Sequence, residues 1–432
     1  MKSTFSPRVV VTAALLSFLL VAVFAGVANA AGLDRSYGEG GVVKVPQPVT
    51  SGLNSDLLQF ASARDGSVYA LAQTRTCGSV VCVSNYYLYR FTAGGALDTG
   101  FGAGGIVLLP GASGEYGLAV DARGRALLAA PAPGSVTVLR YLPNGRPDPS
   151  FSGGQVTVGC DCEGESAWVM PAARGRVLVE SRGGYSQSGE PSSSRVITLN
   201  RLLASGSPDR GFGKAGGVTV RLGRRITPGQ VSVTRKGAVV FGASGCCGGN
   251  GAYLMRVSAR GRLDARFGRR AGRSLQRLRK SGEQAGFASL VPRGDGALDI
   301  FGTDPLTGGF DFRLAADGAP AKFGKGGLRR LPFTIDSAVA GTGGADLILG
   351  NPLRATAYEE VPNAYRMLGD GRLDPAFGGG GGLRLPLSGT GVSLAALKGG
   401  RAQVMNLGAQ FCRSGCGPTP GFARLVEGQT RR

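Results

Sequence analysis

Gly371-Arg372-Leu373-Asp374-Pro375-Ala376-Phe377-Gly378 is the stretch that decides the fold, because six other copies of it recur along the chain. The other copies are Leu33-Asp34-Arg35-Ser36-Tyr37-Gly38, Leu97-Asp98-Thr99-Gly100-Phe101-Gly102, Pro147-Asp148-Pro149-Ser150-Phe151, Pro208-Asp209-Arg210-Gly211-Phe212-Gly213, Leu263-Asp264-Ala265-Arg266-Phe267-Gly268 and the eroded Pro320-Ala321-Lys322-Phe323-Gly324. The aromatic residue of the motif returns at intervals of about 50 to 65 residues, a period typical of propellers and solenoids. The motif therefore predicts an array of similar structural units.

Each interval contains four short runs of β-forming residues. One run follows the motif, as at 41–45, and two others flank a glycine-centred turn such as Arg123-Gly124, which is a hairpin signal. The last run ends in an arginine, which in five units lies eight residues before the motif aspartate: Arg90, Arg140, Arg201, Arg256 and Arg366. Seven units of four strands predict an all-β chain folded as a seven-bladed β-propeller.

The two ends of the chain predict how the ring closes. The first motif copy begins at Leu33, and the chain ends with a fourth-strand pattern at 422–428 that stops just before a motif. The strand near Val42 is therefore expected to complete the blade begun by residues 380–428. An open β-solenoid is the alternative, but it would need polar caps on its terminal units, and the sequence shows no such caps.

The repeat unit resembles that of the bacterial delta-60 repeat proteins, a propeller-like family of largely unknown function whose unit reads Leu-x-Arg-Leu-x-x-Asp/Asn-Gly-x-Leu-Asp-x-x-Phe-Gly. The resemblance is clearest at 254–268 and 365–378 and covers nearly all of the chain after its N-terminal segment. It is weakest in the sixth copy, where Pro320-Ala321 replaces Leu-Asp, and in the third, where Ser152 follows Phe151. The resemblance implies an exported, propeller-like protein and supplies no catalytic residues.

The first 30 residues have the composition of a secretory signal peptide. Lys2 and Arg8 precede an apolar run from Val9 to Phe24, and Ala28-Asn29-Ala30 provides small residues for cleavage. An uncleaved N-terminal anchor is the alternative interpretation. The sequence thus predicts a signal peptide at 1–30, a single propeller domain at 31–432, and a secreted or cell-wall-associated protein.

All eight cysteines occur as close pairs in the sequence. The pairs are Cys77 with Cys82, Cys160 with Cys162, Cys246 with Cys247, and Cys412 with Cys416. In an exported chain this pattern predicts four short disulfides. A zinc site is the competing hypothesis, but it would require cysteines from different pairs to converge, and the chain contains no histidine.

The chain carries a formal net charge of +21. Such a surface favours anionic partners, including cell-wall polymers, glycans, membrane surfaces and extracellular nucleic acid. A basic composition without any specific partner is the alternative. No particular partner follows from the sequence, and we expect a monomer with no transmembrane partner.

The repeated motif residues are predicted to be structural. An aspartate in a turn accepts backbone N–H groups, glycine supplies positive φ, and an aromatic side chain can be buried between blades. The arginines at the ends of the fourth runs are expected to pair with carbonyl groups or with the motif aspartates. The variable loops are a better place for binding, and strand alternation puts all four cysteine pairs on one face. A loop carrying Tyr358, Glu359 and Glu360 also lies on this face, which is therefore the predicted ligand surface.

Two chemical alternatives remain at this stage. Asp161, Glu163 and Glu165 are spaced so that they could bind calcium, whereas no other cofactor is indicated. The absence of histidine excludes a Ser-His-Asp triad and a Cys-His pair. A non-catalytic binding scaffold for an anionic polymer or glycan is therefore the main functional hypothesis. The alternative is an extracellular glycosidase or lyase with paired carboxylates in the central channel.

Overall fold

The computed structural model describes residues 32–46, 54–77, 82–163, 166–185, 191–222, 226–245, 252–267, 273–276, 286–304, 307–353, 363–378, 381–386, 392–406 and 421–427. These residues form seven antiparallel sheets arranged in a ring. The predicted all-β, seven-bladed propeller is confirmed. Within the described residues, which begin after the predicted signal peptide, no helix is long and apolar enough to cross a membrane.

The blades are numbered here in chain order, with the strands of each blade given from first to last. Blade 1 contains β3 (Asn54–Ser62), β4 (Val68–Cys77), β5 (Cys82–Phe91) and β6 (Ile106–Leu108). Blade 2 contains β7 (Gly117–Val120), β8 (Ala126–Ala132), β9 (Ser135–Tyr141) and β10 (Gln155–Gly159). Blade 3 contains β11 (Ala167–Pro171), β12 (Val177–Tyr185), β13 (Pro191–Leu202) and β14 (Gly217–Arg221). Blade 4 contains β15 (Ile226–Val233), β16 (Val239–Gly245), β17 (Ala252–Val257) and β18 (Arg273–Gln276).

The remaining blades follow the same order. Blade 5 contains β19 (Gly286–Pro292), β20 (Leu298–Asp304), β21 (Gly308–Leu314) and β22 (Leu328–Leu331). Blade 6 contains β23 (Ser337–Ala340), β24 (Asp346–Gly350), β25 (Asn363–Met367) and β26 (Gly382–Arg384). Blade 7 contains β27 (Val392–Leu397), β28 (Arg401–Asn406) and β29 (Gly421–Val426), and it is completed by β1 (Gly32–Leu33) and β2 (Val42–Lys44). Three single-turn 3-10 helices lie at Ser152–Gly154, Ala173–Gly175 and Thr342–Gly344.

The two ends of the described chain close the ring by antiparallel pairing. In β1, Leu33 lies opposite Leu425, and in β2, Val43 lies opposite Phe422. The outer strand of blade 7 therefore comes from the N-terminal side of the chain. This is the closure that the sequence predicted from the strand near Val42.

The first strand of each blade lies innermost. Strand β3 contacts β7, β7 contacts β11, and the series continues from β15 through β19, β23 and β27 back to β3. Between blades 3 and 4 the contact runs from β13 to β15. The motif lies between the third and the outer strand of a blade. The strand that follows each motif pairs with the strand that precedes the motif and becomes the outer strand of the same blade. The sequence repeat and the blade are consequently offset by one strand.

The core lies mainly between neighbouring blades. Phe101, for example, packs in one cluster with Leu88 of blade 1 and with Leu128 and Leu139 of blade 2. The other motif aromatics occupy equivalent positions, each at most 6% exposed: Tyr37, Phe151, Phe212, Phe267, Phe323 and Phe377. Burial of one such side chain stabilises the fold by about 1.5–3 kcal/mol.

Candidate functional site

Each motif aspartate closes a local turn. The Asp148 Oδ1 atom accepts the backbone N–H of Ser150 at 2.9 Å, and Asp264 Oδ1 accepts that of Arg266 at 3.0 Å. The following glycine contacts the next blade: the N–H of Gly102 donates to the carbonyl of Asn144 at 3.0 Å. Gly102 has φ of +55°. The motif therefore ends one strand connection and attaches it to the neighbouring blade.

The eight-residue spacing of arginine and aspartate, which recurs in five units, produces buried or half-buried ion pairs. Arg140 Nε lies 2.8 Å from Asp148 Oδ2, and Arg201 Nε lies 2.8 Å from Asp209 Oδ2. The corresponding pairs in other units are Arg90 with Asp98, Arg256 with Asp264, and Arg366 with Asp374. Burial alone would raise the pKa of Asp148, but hydrogen bonds from Ser150 and the charge of Arg140 lower it below its usual value.

These arginines also reach across the blade boundary. The Arg140 guanidinium stacks 4.3 Å from the centre of the Phe151 ring, and its Nη1 donates to the carbonyl of Ala204 in blade 3 at 2.9 Å. Arg201 repeats the arrangement with Phe212 and with Ala259 of blade 4. The motif aspartates, aromatics and arginines thus hold neighbouring blades together and offer little exposed chemistry to a ligand.

The eroded sixth motif copy changes this arrangement. Since it lacks the aspartate, Arg313 pairs with Asp299 on β20, while its guanidinium still lies 3.9 Å from the centre of the Phe323 ring. Arg293, from the neighbouring turn, bonds to Asp299 and to Asp346 of blade 6. Sequence analysis did not identify this cluster, because the aspartates lie within strands and outside the motif.

The cluster contains carboxyl groups with strongly displaced pKa values. Asp311, which is fully buried, has two carboxylate oxygens without a hydrogen-bond partner. Burial and the charges of Asp299 and Asp346 raise its pKa to about 8. Burial also raises the pKa of Asp346 to about 7, despite the nearby Arg293. These carboxylates lie between blades 5 and 6 and are closed to solvent, so they are unsuited to act on a polymeric substrate.

The cysteines are only partly within the described residues. Cys160 and Cys162 form the predicted disulfide. The N–H of Cys160 donates to the carbonyl of Gly134, and the N–H of Gly134 donates to the carbonyl of Cys162, so the disulfide segment is fixed to the β8–β9 hairpin. Cys77 and Cys82 are opposite each other in the register of β4 and β5. Cys246, Cys247, Cys412 and Cys416 lie outside the described residues.

The proposed calcium and ligand loops are also incompletely covered. Asp161 Oδ2 lies 3.6 Å from an Arg221 nitrogen in an exposed ion pair. Glu165, together with the loop residues Tyr358, Glu359 and Glu360, lies outside the described residues. Among the residues that are described, no three acidic or cysteine side chains are close enough to hold a metal ion.

A basic surface surrounds one mouth of the ring and was missed in the sequence analysis. We define the turn face as the surface formed by the turns between the first and second strands of the blades, at 63–67, 121–125, 172–176, 234–238, 293–297, 341–345 and 397–401. Six cations on it are exposed and have no carboxylate partner among the described residues: Arg64, Arg123, Arg174, Arg235, Lys236 and Lys398. The cation-glycine pattern of these turns was visible in the sequence, but there it indicated only turn geometry.

Three cavities lined by described residues are found along the turn face. The first, about 740 Å³, is bounded by the turns of blades 1, 2 and 3 and includes Arg64, Arg123 and Arg174. The second, about 290 Å³, lies between blades 3 and 4, and the third, about 340 Å³, lies between blades 4 and 5. The opposite surface, which we call the loop face, carries the disulfide.

The strand pairing defines the protein as a seven-bladed β-propeller. Neither protein-family models nor curated protein sequences gave a match to the chain. Solved propeller structures are similar at low identity. The NanB sialidase of Streptococcus pneumoniae (K499G mutant) is 12% identical with a TM-score of 0.45, covering 90% of this chain and 71% of that one. The β-propeller domain of the Trilobed protease from Pyrococcus furiosus is 7% identical with a TM-score of 0.46, covering 86% and 93%. A protein of unknown function from Dyadobacter fermentans is 13% identical with a TM-score of 0.42, covering 90% and 100%. Similarities this distant carry no argument about function.

Proposed function

We propose that this protein is an exported, non-catalytic propeller that binds an anionic polymer or glycan through its turn face. One observation carries the proposal: exposed cations on five of the turns have no carboxylate partner among the described residues. Arginine side chains elsewhere in the repeat are buried in pairs with aspartate, as Arg140 is with Asp148. The repeat therefore neutralises its internal cations, whereas the six exposed cations of the turn face have no carboxylate partner among the described residues.

The electrostatics of an open, concave surface support this function. Guanidinium groups present a planar fork of donors that matches carboxylate and phosphate oxygens. A cleft lined by charges of one sign concentrates counter-ions and accelerates association with a ligand of opposite charge. The net charge of +21 adds a favourable long-range field to the local one.

The carboxylates of the turn face support a non-catalytic role. Asp65 accepts the N–H and the hydroxyl of Ser67, and Asp295 accepts the N–H of Ala297. Asp121 binds Arg125. Each of these carboxylates accepts hydrogen bonds within its own turn and so stabilises the turn conformation. This role differs from that of a general acid or a nucleophile in a glycosidase.

The loop face is the other location for a ligand, and the sequence favoured it. Its cystine loops and the segment around Tyr358 are mostly outside the described residues, so this location stays a prediction. In that case the propeller would bind its ligand through the loops of the loop face and not through the turns of the turn face. The two locations make different predictions for substituted proteins.

The test is binding of residues 31–432 to polygalacturonate, teichoic acid, DNA and neutral dextran at one fixed ionic strength. We expect saturable binding to an anionic polymer and none to dextran. A protein with Arg123→Gln, Arg174→Gln and Lys236→Gln should bind between about threefold and about 150-fold more weakly, since each exposed ion pair contributes about 0.2–1 kcal/mol. The matched control is Lys44→Gln with Arg384→Gln, two exposed cations on outer strands.

Three results would contradict the proposal. If the control protein loses as much affinity for the polymer as the turn-face variant, binding is explained by non-specific charge attraction alone. Full binding by the turn-face variant, with loss in a Cys160→Ser/Cys162→Ser protein, would move the site to the loop face. Release of shortened products from any glycan would show that the protein is an enzyme.

A further inference from the structure

The three cavities of the turn face adjoin one another. The cavity of blades 1 to 3 and the cavity of blades 3 and 4 share Arg174 and Arg176 in their walls. The cavity of blades 3 and 4 shares Arg235 and Lys236 with that of blades 4 and 5. A ligand that follows these cavities would cross successive turns without leaving the surface.

The exposed cations overlap these cavities from blade 1 to blade 4 and extend beyond them to blade 7. Going around the ring, they occur on the turns of blade 7 (Lys398), blade 1 (Arg64), blade 2 (Arg123), blade 3 (Arg174) and blade 4 (Lys236). The exposed turn residues of blade 5 are Gly294 and Asp295, and those of blade 6 are uncharged, at 342–344. Arg293, also on the blade 5 turn, is already bound to Asp299 and Asp346. Among the turns between first and second strands, the exposed cations thus form an open arc with two ends, a path that a linear ligand can follow.

The surface between the cations is small and apolar. Exposed Ala173 and Ala204 and half-buried Val120 line the first cavity. Phe212 contributes to the second cavity but is fully buried, so its ring is closed to a stacking base. Binding of single-stranded nucleic acid relies on aromatic platforms, and a duplex is too stiff to follow a tight ring. Methyl groups between charged groups instead suit sugar rings that carry anions.

We infer that the turn face binds a linear anionic glycan along the arc from blade 7 to blade 4, with successive acidic sugars held by successive turns. This inference rests on the proposed function and adds the ligand class and its orientation. Because each turn contributes a separate contact on one rigid scaffold, each added subsite increases the affinity of a chain long enough to reach it.

The test uses oligogalacturonates from dimer to dodecamer, with their methyl esters as neutral controls, measured by calorimetry at fixed ionic strength. We expect affinity to rise with length and to level off once the arc is filled, and we expect the esters not to bind. Lys398→Gln, at one end of the arc, should weaken the dodecamer about threefold and leave the dimer unchanged. Arg174→Gln, near the middle, should weaken both.

The outcomes separate this inference from the proposed function. If the dimer binds as tightly as the dodecamer, a single anion site exists, so the extended track is wrong while anion binding survives. If an oligothymidylate binds more tightly than the galacturonate of equal charge, the glycan assignment is wrong. Failure of the polymer and of every oligomer to bind would remove the proposed function together with the inference.

Discussion

Arg140 Nε lies 2.8 Å from Asp148 Oδ2, and both side chains are almost completely buried, at 1% and 4% exposure. Arg125 Nη1 approaches the same carboxylate oxygen at 2.8 Å. One aspartate therefore contacts two guanidinium groups that have little access to water, and Asp121 is a second partner of Arg125. Because an unpaired buried charge is costly, this aspartate is expected to be among the most sensitive positions of the motif.

We expect Asp148→Ala to lower the free energy of unfolding by about 3–5 kcal/mol, since it leaves Arg140 buried without its counter-charge, whereas Arg125 keeps its pairing with Asp121. The matched control is Asp98→Ala, at the same motif position, where the aspartate is 21% exposed and the loss should be about 1–2 kcal/mol. Guanidinium chloride unfolding followed by fluorescence measures both values. Similar losses for the two proteins would show that burial does not control the strength of the pair.

Gly102, the last residue of its motif copy, and Gly104, two residues later, differ in the space available for an added side chain. A Cβ atom added to Gly102 would lie 2.3 Å from the carbonyl oxygen of Ile106, whereas one added to Gly104 would meet nothing within 4 Å. Both residues have positive φ, at +55° and +64°. Gly102→Ala is therefore expected to destabilise the protein by about 2–4 kcal/mol.

Gly104→Ala should cost only about 1 kcal/mol, the usual penalty for a left-handed conformation without Gly. Denaturant unfolding of the two proteins separates the steric contribution from the conformational one. A loss for Gly104→Ala that equals that for Gly102→Ala would indicate that the clash with Ile106 is relieved by movement of the strand.

The fold was predictable because the motif carries several signals at one place. The aspartate, the glycine and the aromatic residue mark a strand connection, and their period sets the number of blades. The innermost strand was not predictable, since a periodic sequence looks the same wherever the unit is taken to begin. Pairing of β2 with β29 and contact of β3 with β7 decide it, and both depend on tertiary structure.

The turn face shows why the candidate site was harder to predict than the fold. Arg123 and Arg125 flank the same glycine, and the sequence gives no reason to treat them differently. In the structure Arg123 is exposed, whereas Arg125 is buried against Asp121 and Asp148. The side chain available to a ligand is determined by strand alternation and by an aspartate from the next connection, so it emerges only in three dimensions.

The Cys160–Cys162 disulfide is expected to shape its loop with little effect on global stability. It encloses so few residues that it restricts the unfolded chain only slightly, by about 1.5 kcal/mol in the loop-entropy relation. We expect Cys160→Ser/Cys162→Ser to lower the free energy of unfolding by no more than this amount. Hydrogen exchange at Gly134, which bonds to both cysteine backbones, should increase by a larger factor than exchange at core amides. Equal changes at both places would assign the disulfide a global role.

The carboxyl groups between blades 5 and 6 predict an unusual pH dependence. The pKa of Asp311 is raised to about 8 by burial and by the charges of Asp299 and Asp346, and that of Asp346 is raised to about 7 mainly by burial. In the unfolded chain both groups ionise near pH 4. Between these values the folded protein holds more protons than the unfolded one, so stability falls as pH rises from about 4 to about 8. We therefore expect Asp311 and Asp346 to make the melting temperature higher at pH 5.5 than at pH 8.5.

Replacement of Asp311 by a neutral isostere tests this origin directly. Asp311→Asn removes the ionisable group without changing its size, so it should raise the free energy of unfolding at both pH values, and by about 2 kcal/mol more at pH 8.5 than at pH 5.5. Asp295→Asn, on the exposed turn of the same blade, serves as the matched control and should leave the pH profile unchanged. Thermal unfolding across the pH range measures both. If Asp311→Asn shifts the melting temperature equally at both pH values, the carboxyl is already ionised at pH 5.5 and the attraction of the Arg313 and Arg293 charges outweighs its burial.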